Sequence, residues 1–206
     1  VFSYHGATRA LTSFPTRRSS DLMAGEGVFV KEFQIAVLEG RAVIAVHSAK
    51  DLRSRPTNGL NLVGFLERGD PRDALIGNQL DRIPEGGVIA TGSARRRVQL
   101  VNLRPDLKFV GLRGNIKTRI EIAQGTDVDA VVVAKAALDR LGISDLADQV
   151  FESDQMVPQV GQGAIAIECR DDNRETSGLI SSIVYELTRT CFMALRSYPA
   201  ELDCCC

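Results

Sequence analysis

The sequence predicts an α/β protein with mainly parallel, mixed sheets, because short apolar segments alternate with segments of helical periodicity. Three apolar segments, at 42–46, 87–91 and 129–133, have the valine- and isoleucine-rich composition of strands buried on both faces. Helical patterns follow the second and third segments, at 94–103 and 134–141. Strands joined through helices usually run parallel within one sheet, and this connection predicts the direction of the strands.

The composition is that of an ordinary globular protein and argues against several classes of function. The chain has 206 residues, 44% hydrophobic and 25% charged, which predicts one or two water-soluble domains. No apolar run is long enough to span a membrane. The lack of tryptophan, the 5% aromatic content and a pI near 6.2 argue against nucleic-acid binding. Five cysteines, three of them adjacent, do not form a disulfide pattern and indicate a reducing compartment.

Residues 1–22 differ in composition from the rest of the chain. They contain three arginines, seven serines or threonines and one acidic residue. The segment SFPTRRSSDL, at 13–22, resembles a translated sequencing-adapter scar, and an organelle transit peptide is the alternative. We therefore exclude this stretch, including His5, from the fold prediction.

The first predicted helix, at 29–39, leads to a strand with functional residues at its end. The strand at 42–46 delivers the sequence HSAKD, 47–51, to its carboxyl end, where ligands bind in open α/β sheets. Asp51 is the acidic residue nearest that edge and is a candidate functional carboxylate. Spacing alone leaves two alternatives open, in which Asp51 caps a turn and His47 is a satisfied histidine at the edge of the core.

A strand at 60–66 precedes the charged segment ERGDPRD, 67–73. Its charges can pair with one another, and we interpret it as a segment that crosses between domains, not as a site. A short strand at 74–76 and a loop then lead to the strand at 87–91.

The stretch 91–119 concentrates positive charge in a chain of net charge −1. It contains six arginines and two lysines against one acidic residue. Two strand–turn–helix units follow each other here. The first helix, predicted at 94–103, has Arg95 and Arg96 in its first turn, and the second, predicted at 116–123, carries Arg119 one turn from its start. Cations at a helix N-terminus oppose the helix dipole unless an anion balances them. The pattern therefore predicts a two-sided anion site, and a pair of solvated basic helix starts is the alternative.

The remaining elements continue the alternation. They are a strand at 129–133, a helix at 134–141 that carries Arg140, an amphipathic segment at 143–152, a connection at 157–163, a strand at 164–168 and helices at 176–188 and 191–201. No nucleotide-binding glycine motif and no metal-ligating Cys/His spacing is present. Cys169 and Cys191 are interpreted as small buried hydrophobes.

Several segments, in order, resemble the porphobilinogen deaminases, a family also called hydroxymethylbilane synthases. They are GVFVKE, HSAKD, ERGDPRDALI, TGSARRR, LRGN, AALDRLG, VGQGAIAIECR and AELDCCC. The resemblance covers residues 25–206. Motifs in matching order and spacing are far more specific than any single one of them.

The resemblance implies two domains like those of type II periplasmic binding proteins, with a cleft between them, and the start of a third, α+β domain. The implied limits are 23–66 with 159–182 for a partial domain 1, 67–158 for domain 2 and 183–206 for domain 3. The family's first strand and helix and most of its third domain have no counterpart here. We therefore interpret the chain as a fragment truncated at both ends and expect weak activity or none.

The resemblance also implies an activity and a site. Family members deaminate porphobilinogen and join four units to a dipyrromethane primer held by a cysteine thioether, giving hydroxymethylbilane. Asp51 matches the catalytic aspartate, which assists departure of the amine and stabilises a cationic azafulvene. The residues that match carboxylate-binding positions are Lys50, Ser93, Arg95, Arg96, Arg113, Gly114, Arg119 and Arg140. Cys206 matches the cofactor-bearing cysteine, with Cys204 and Cys205 in place of glycines and Glu26 in place of a lysine.

By the same resemblance we expect a monomer in the cytosol, or in a plastid, without a metal, a membrane or a nucleic-acid partner. Two rival functions remain. One is a binding module that holds a small polycarboxylate without catalysis, which does not require Asp51 or Cys206. The other is a nucleic-acid binder that uses residues 95–97, and the acidic pI argues against it.

Overall fold

The structure is a computed structural model that describes residues 28–201. Its helices are α1 (Val28–Leu38), α2 (Ala94–Leu103), α3 (Ile116–Ala123), α4 (Lys135–Arg140), α5 (Arg174–Ser181) and α6 (Glu186–Glu201). Its strands are β1 (Ile44–Ser48), β2 (Leu60–Phe65), β3 (Asp73–Ile76), β4 (Val88–Ala90), β5 (Lys108–Val110), β6 (Ala130–Ala134), β7 (Gln149–Val150) and β8 (Ile165–Arg170). The predictions for residues 1–27 and 202–206, including Glu26 and Cys204 to Cys206, lie outside this range.

The larger sheet has the strand order β5-β4-β6-β3-β7. Strand β4 pairs in parallel with β5 and β6, whereas β3 pairs antiparallel with β6 and β7. Its central strands are apolar on both faces, as the sequence predicts. Leu75 and Val132 belong to the core on one face, and Val131 and Val133 belong to the core on the other.

The smaller sheet, β1-β8-β2, is antiparallel throughout. The prediction of mainly parallel sheets is therefore wrong, although the α/β class with mixed sheets is confirmed. The reason lies in the path of the chain, because β8 follows the whole of the larger sheet and then returns between β1 and β2 in the opposite direction. It therefore runs opposite to both of its neighbours. An intervening helix predicts parallel strands only where it directly joins two strands that are neighbours in the sheet.

The boundaries of several predicted elements also change. The predicted helix at 176–188 is interrupted, since α5 ends at Ser181 and α6 begins at Glu186. The predicted amphipathic segment at 143–152 forms a short 3-10 turn and the two-residue strand β7. Cys169 is buried as predicted, but Cys191 is exposed on α6. Within residues 28–201, no helix combines the length and hydropathy that a membrane span requires.

Two segments connect the sheets, one between β2 and β3 and one between β7 and β8. They run side by side, and the amide of Gly69 donates to the carbonyl of Gly163 at 3.0 Å. Gly163 has φ +84°, and a Cβ built there would lie 2.5 Å from the Gly69 carbonyl oxygen. Only glycine fits this close approach without displacing backbone. The chain thus crosses between the sheets at a tightly packed pair of segments, while the predicted domain limits remain predictions.

Candidate functional site

Asp51 lies in a 3-10 turn, Ala49–Asp51, directly after β1. Two hydrogen bonds join this turn to the segment between β7 and β8. The amide of Ala49 donates to the carbonyl of Ala164 at 3.0 Å, and Gln159 Nε2 donates to the carbonyl of Lys50 at 3.1 Å. Ala49 is buried, Lys50 is half-buried and Asp51 is exposed. The turn therefore presents a carboxylate and an ammonium group at the strand's carboxyl end.

The groups that act on Asp51 come from β1, from the turn after it and from helix α3. The surrounding protein raises the pKa of Asp51 by desolvation, and the neighbouring Lys50, His47 and Arg119 oppose that rise. Burial lowers the pKa of Lys50, and repulsion by Arg96 lowers it further. Burial also lowers the pKa of Arg119, again with repulsion from Arg96. These groups share one electrostatic field in which positive charge is in excess, as an anion site requires.

Helix α2 begins as the sequence predicts. Ser93 is its N-cap, and its side chain accepts a long hydrogen bond, 3.4 Å, from the amide of Arg96. The role predicted for Ser93, a contact to a ligand, is untested by this geometry. The cap places Arg95 and Arg96 in the first turn, where an anion must balance them.

That anion, within the described structure, is the side chain of Asp73, the first residue of β3. Arg96 donates to Asp73 Oδ1 from Nε at 3.0 Å and from Nη2 at 2.6 Å, and Arg95 Nη2 donates to Oδ2 at 2.8 Å. The remaining terminal nitrogen of Arg96 donates to the carbonyl of Val132 at 3.0 Å, and that of Arg95 donates to the carbonyl of Val157 at 2.6 Å. Both arginines are thus anchored in the protein.

Asp73 was not among the site residues predicted from the sequence. The charges of residues 67–73 were expected to pair with one another, and Asp70 does pair with Arg72 at 2.7 Å. Asp73, however, is fully buried beside α2. Burial acts to raise the pKa of Asp73, but the attraction of Arg96 and Arg95 outweighs it and leaves that pKa below its usual value. Two arginines in the first turn of a helix require a negative charge nearby, and this requirement could have indicated from the sequence that a buried acidic residue lies beside them.

The second basic unit leads into α3. Asn115 caps this helix by accepting from the amide of Thr118 at 3.0 Å. Gly114 has φ +102°, and its carbonyl accepts from Arg119 Nε at 3.1 Å. The turn therefore fixes Arg119 beside the Asp51 region, while Arg113 is exposed.

Arg140 lies at the crossing segments. Its Nη2 donates to the carbonyl of Gly163 at 2.5 Å. Arg68, from the other segment, donates from Nε to the carbonyl of Gln162 at 2.9 Å. Four of the predicted residues are close enough for their charges to affect one another's pKa, namely Lys50, Asp51, Arg96 and Arg119. Arg140 is instead hydrogen-bonded to the backbone of a crossing segment.

His47 forms a buried polar cluster on the smaller sheet. Its Nε2 lies 3.0 Å from Glu168 Oε2, a distance typical of an ion pair, although the angle is outside hydrogen-bond geometry. Gln34 Nε2 donates to the same oxygen at 2.8 Å. His47 is therefore a buried histidine at the edge of the core, as one sequence alternative holds, but its Nε2 makes no hydrogen bond, so the satisfied state predicted for it is not observed. Within residues 28–201, no cluster of three or more His, Cys, Asp or Glu side chains is placed to hold a metal ion.

Comparison with known proteins gives one family match. Residues 15–178 match the family described as "Porphobilinogen deaminase, dipyromethane cofactor binding domain". The match spans the crossing segments, both helix starts and the turn that carries Asp51.

Solved structures give weaker likenesses. YhfZ from Shigella flexneri is 18% identical, with 88% of this chain and 81% of that chain covered and a TM-score of 0.38. A YaeC-family lipoprotein from Enterococcus faecalis is 12% identical, with coverages of 79% and 81% and a TM-score of 0.48. A TRAP periplasmic solute binding protein from Ochrobactrum anthropi is 13% identical, with coverages of 84% and 65% and a TM-score of 0.46.

Proposed function

The chain belongs to the porphobilinogen deaminase family, and on this premise we propose that it forms the substrate cleft of a transferase of tetrapyrrole biosynthesis. The reaction joins four porphobilinogen units to a dipyrromethane primer and yields hydroxymethylbilane. Each addition breaks the carbon–nitrogen bond of the substrate's aminomethyl group and a carbon–hydrogen bond of the terminal pyrrole of the growing chain, forms a carbon–carbon bond and releases ammonia, which takes up the displaced proton in the net reaction. Water then releases hydroxymethylbilane from the retained primer. The observation that carries the proposal is the position of Asp51 within an excess of positive charge at the end of β1.

Asp51 is proposed as the catalytic carboxylate. Loss of the amine develops positive charge on the pyrrole, and an ionised carboxylate beside that charge stabilises the transition state. The turn that carries Asp51 is anchored through the backbone of Ala49 and Lys50, so the backbone from which the carboxylate projects is positioned before substrate arrives. Such preorganisation avoids reorientation during the reaction.

The carboxylate-binding set is proposed as Lys50, Ser93, Arg95, Arg96, Arg113, Gly114, Arg119 and Arg140. Guanidinium and ammonium groups are suitable partners for the two carboxylates of each pyrrole unit, and arginine can bind a carboxylate with two parallel hydrogen bonds. The excess of positive charge around Asp51 therefore fits a polycarboxylated primer as well as the substrate. When bound, the dipyrromethane supplies the pyrrole carbon to which the first unit is joined. We propose Cys206 as its attachment point.

The decisive experiment compares the chain with its Asp51→Asn variant. We expect the chain to bind porphobilinogen and release ammonia slowly, and we expect the variant to bind but release none. Equal ammonia release by both proteins would contradict a catalytic role for Asp51. Binding without turnover by either protein would fit both a truncated enzyme and the polycarboxylate-binding alternative, and a covalent cofactor, which only the enzyme requires, then distinguishes the two.

The covalent cofactor is tested separately by mass. The intact mass of the purified chain is expected to exceed the sequence mass by one dipyrromethane unit, and the Cys206→Ser variant is expected to lack the increment. An increment that persists in this variant would place the attachment on another residue.

A further inference from the structure

Gln162 is a fully buried amide between the two crossing segments. Its Nε2 lies within hydrogen-bond distance of the Pro71 carbonyl at 2.7 Å, the Arg72 carbonyl at 3.3 Å and Asp73 Oδ1 at 2.8 Å. All three acceptors are oxygens. Rotating the amide by half a turn would bring Oε1 against them, which is repulsive, so the NH₂ group must face this side.

Asp73 receives donors from three side chains. Its Oδ1 accepts from Gln162 and twice from Arg96, while Oδ2 accepts from Arg95. A carboxylate bonded on both oxygens cannot rotate without breaking several charged hydrogen bonds at once. Gln162 is the neutral member of this set, and it is contributed by the segment that returns to the smaller sheet.

Arg95 connects the buried cluster to the surface. Its side chain is 24% exposed, whereas that of Arg96 is 7% exposed. Both terminal nitrogens of Arg95 are held from the protein side, by Asp73 and by the carbonyl of Val157. Each terminal nitrogen of a guanidinium carries two N–H groups, so one on each remains for a ligand carboxylate. The orientation of Arg95 therefore depends on the orientation of Asp73.

We propose that Gln162 is a positioning residue for carboxylate binding, because it fixes Asp73 and Asp73 in turn fixes the guanidinium groups of Arg95 and Arg96. The ligand part of this inference rests on the proposed function. Gln162 does not touch the ligand in this scheme. It acts by linking the returning crossing segment to the start of α2, so the two crossings and the basic helix start form one bonded unit.

Two substitutions separate positioning from mere packing. Gln162→Met keeps the length of the side chain and removes the amide donor. Gln162→Glu keeps the shape and adds a group that donates to Asp73 only when protonated. A carboxyl beside a buried carboxylate has a raised pKa, so this variant switches between a bonded and a repelled state with pH. The charged groups around it are Lys50, Arg68, Asp73, Arg95, Arg96 and Arg140.

The first readout needs no ligand. Hydrogen exchange of the Arg96 Nε–H, followed by ¹⁵N NMR on the full chain, is expected to be at least about tenfold faster in Gln162→Met. The Nε–H of Arg104, which donates to Asp106 at 2.8 Å away from this cluster, serves as the internal reference. Gln155→Met is the matched control, since Gln155 is exposed and its side chain accepts only a local amide.

The second readout is calorimetric binding of porphobilinogen. Gln162→Glu is expected to bind at least about tenfold more weakly at about pH 8 than at about pH 5, relative to the unsubstituted chain at the same pH values. A purely structural role would lower affinity equally at both. Unchanged Arg96 exchange and unchanged affinity in both variants would overturn the proposal, as would failure of both to fold at either pH. If the unsubstituted chain does not bind porphobilinogen, the proposed function fails, and the Arg96 exchange still decides the positioning role.

Discussion

Asp73→Asn keeps the size of a fully buried side chain and removes its charge. In the structure, Oδ1 accepts from Arg96 and Gln162, and Oδ2 accepts from Arg95. An asparagine whose oxygen remains on Arg96 turns its own NH₂ toward Arg95, so that two donors face each other. The substitution therefore removes the ion pair and creates one repulsive contact.

The expected cost follows from the burial of Arg96, whose side chain is only 7% exposed. Removing one partner of a buried pair typically destabilises a protein by about 3–5 kcal/mol. With a urea m-value of about 2 kcal/mol/M, the unfolding midpoint should fall by about 1.5–2.5 M. The pKa of Asp73 is lowered in the fold, so its contribution is present above the ordinary pKa of 3.8 and is lost as the pH falls through the folded-state value. The difference between the two proteins should therefore shrink in strong acid.

Asp70→Asn is the matched control, because Asp70 pairs with Arg72 only two residues away. Their side chains are 22% and 32% exposed, and such a pair contributes about 0–1 kcal/mol. Urea unfolding at neutral pH, followed by circular dichroism, measures both variants. Equal midpoint shifts for the two substitutions would refute the reasoning that the Asp73 ion pairs contribute more to the free energy of unfolding because they are buried.

Two further predictions concern the crossing and the turn. Gly163→Ala should destabilise the chain by about 1–3 kcal/mol more than Gly142→Ala in urea unfolding. Both glycines have positive φ, but only Gly163 has a backbone atom 2.5 Å from the new Cβ. Equal costs for the two substitutions would show that the two crossing segments separate easily. Asp51→Asn should raise the unfolding midpoint at neutral pH but not near pH 3, because desolvation raises the folded-state pKa of Asp51 and its ionised form opposes folding. A lower midpoint at neutral pH would indicate that Asp51 is stabilised by its cationic neighbours instead.

Local features of this chain were predictable, and long-range pairing was not. The bounds of α2 and α3 agree with the sequence prediction because caps, turn residues and periodicity all lie within a few positions of each helix. The direction of β8 depends on a path that includes the whole larger sheet, which periodicity cannot report.

The candidate site shows the same division. The sequence alone predicted that Arg95 and Arg96 need an anion, because both lie in a first helical turn. The identity of the buried partner was not, because Asp73 is 22 residues away from Arg95 and beside other charges that pair locally. His47 illustrates the converse, since its partner Glu168 is brought to it only by the pairing of β1 with β8.

The order of strands in the smaller sheet constrains the order of events during synthesis. Strand β8 lies between β1 and β2, yet it leaves the ribosome after both of them and after every strand of the larger sheet. Until residues 165–170 emerge, β1 and β2 lack the partner that joins them, whereas the larger sheet already has all of its strands. Folding on the ribosome should therefore begin in the middle of the chain. We therefore expect the smaller sheet, which leads to Asp51, to form after the larger one, when β8 pairs with both β1 and β2.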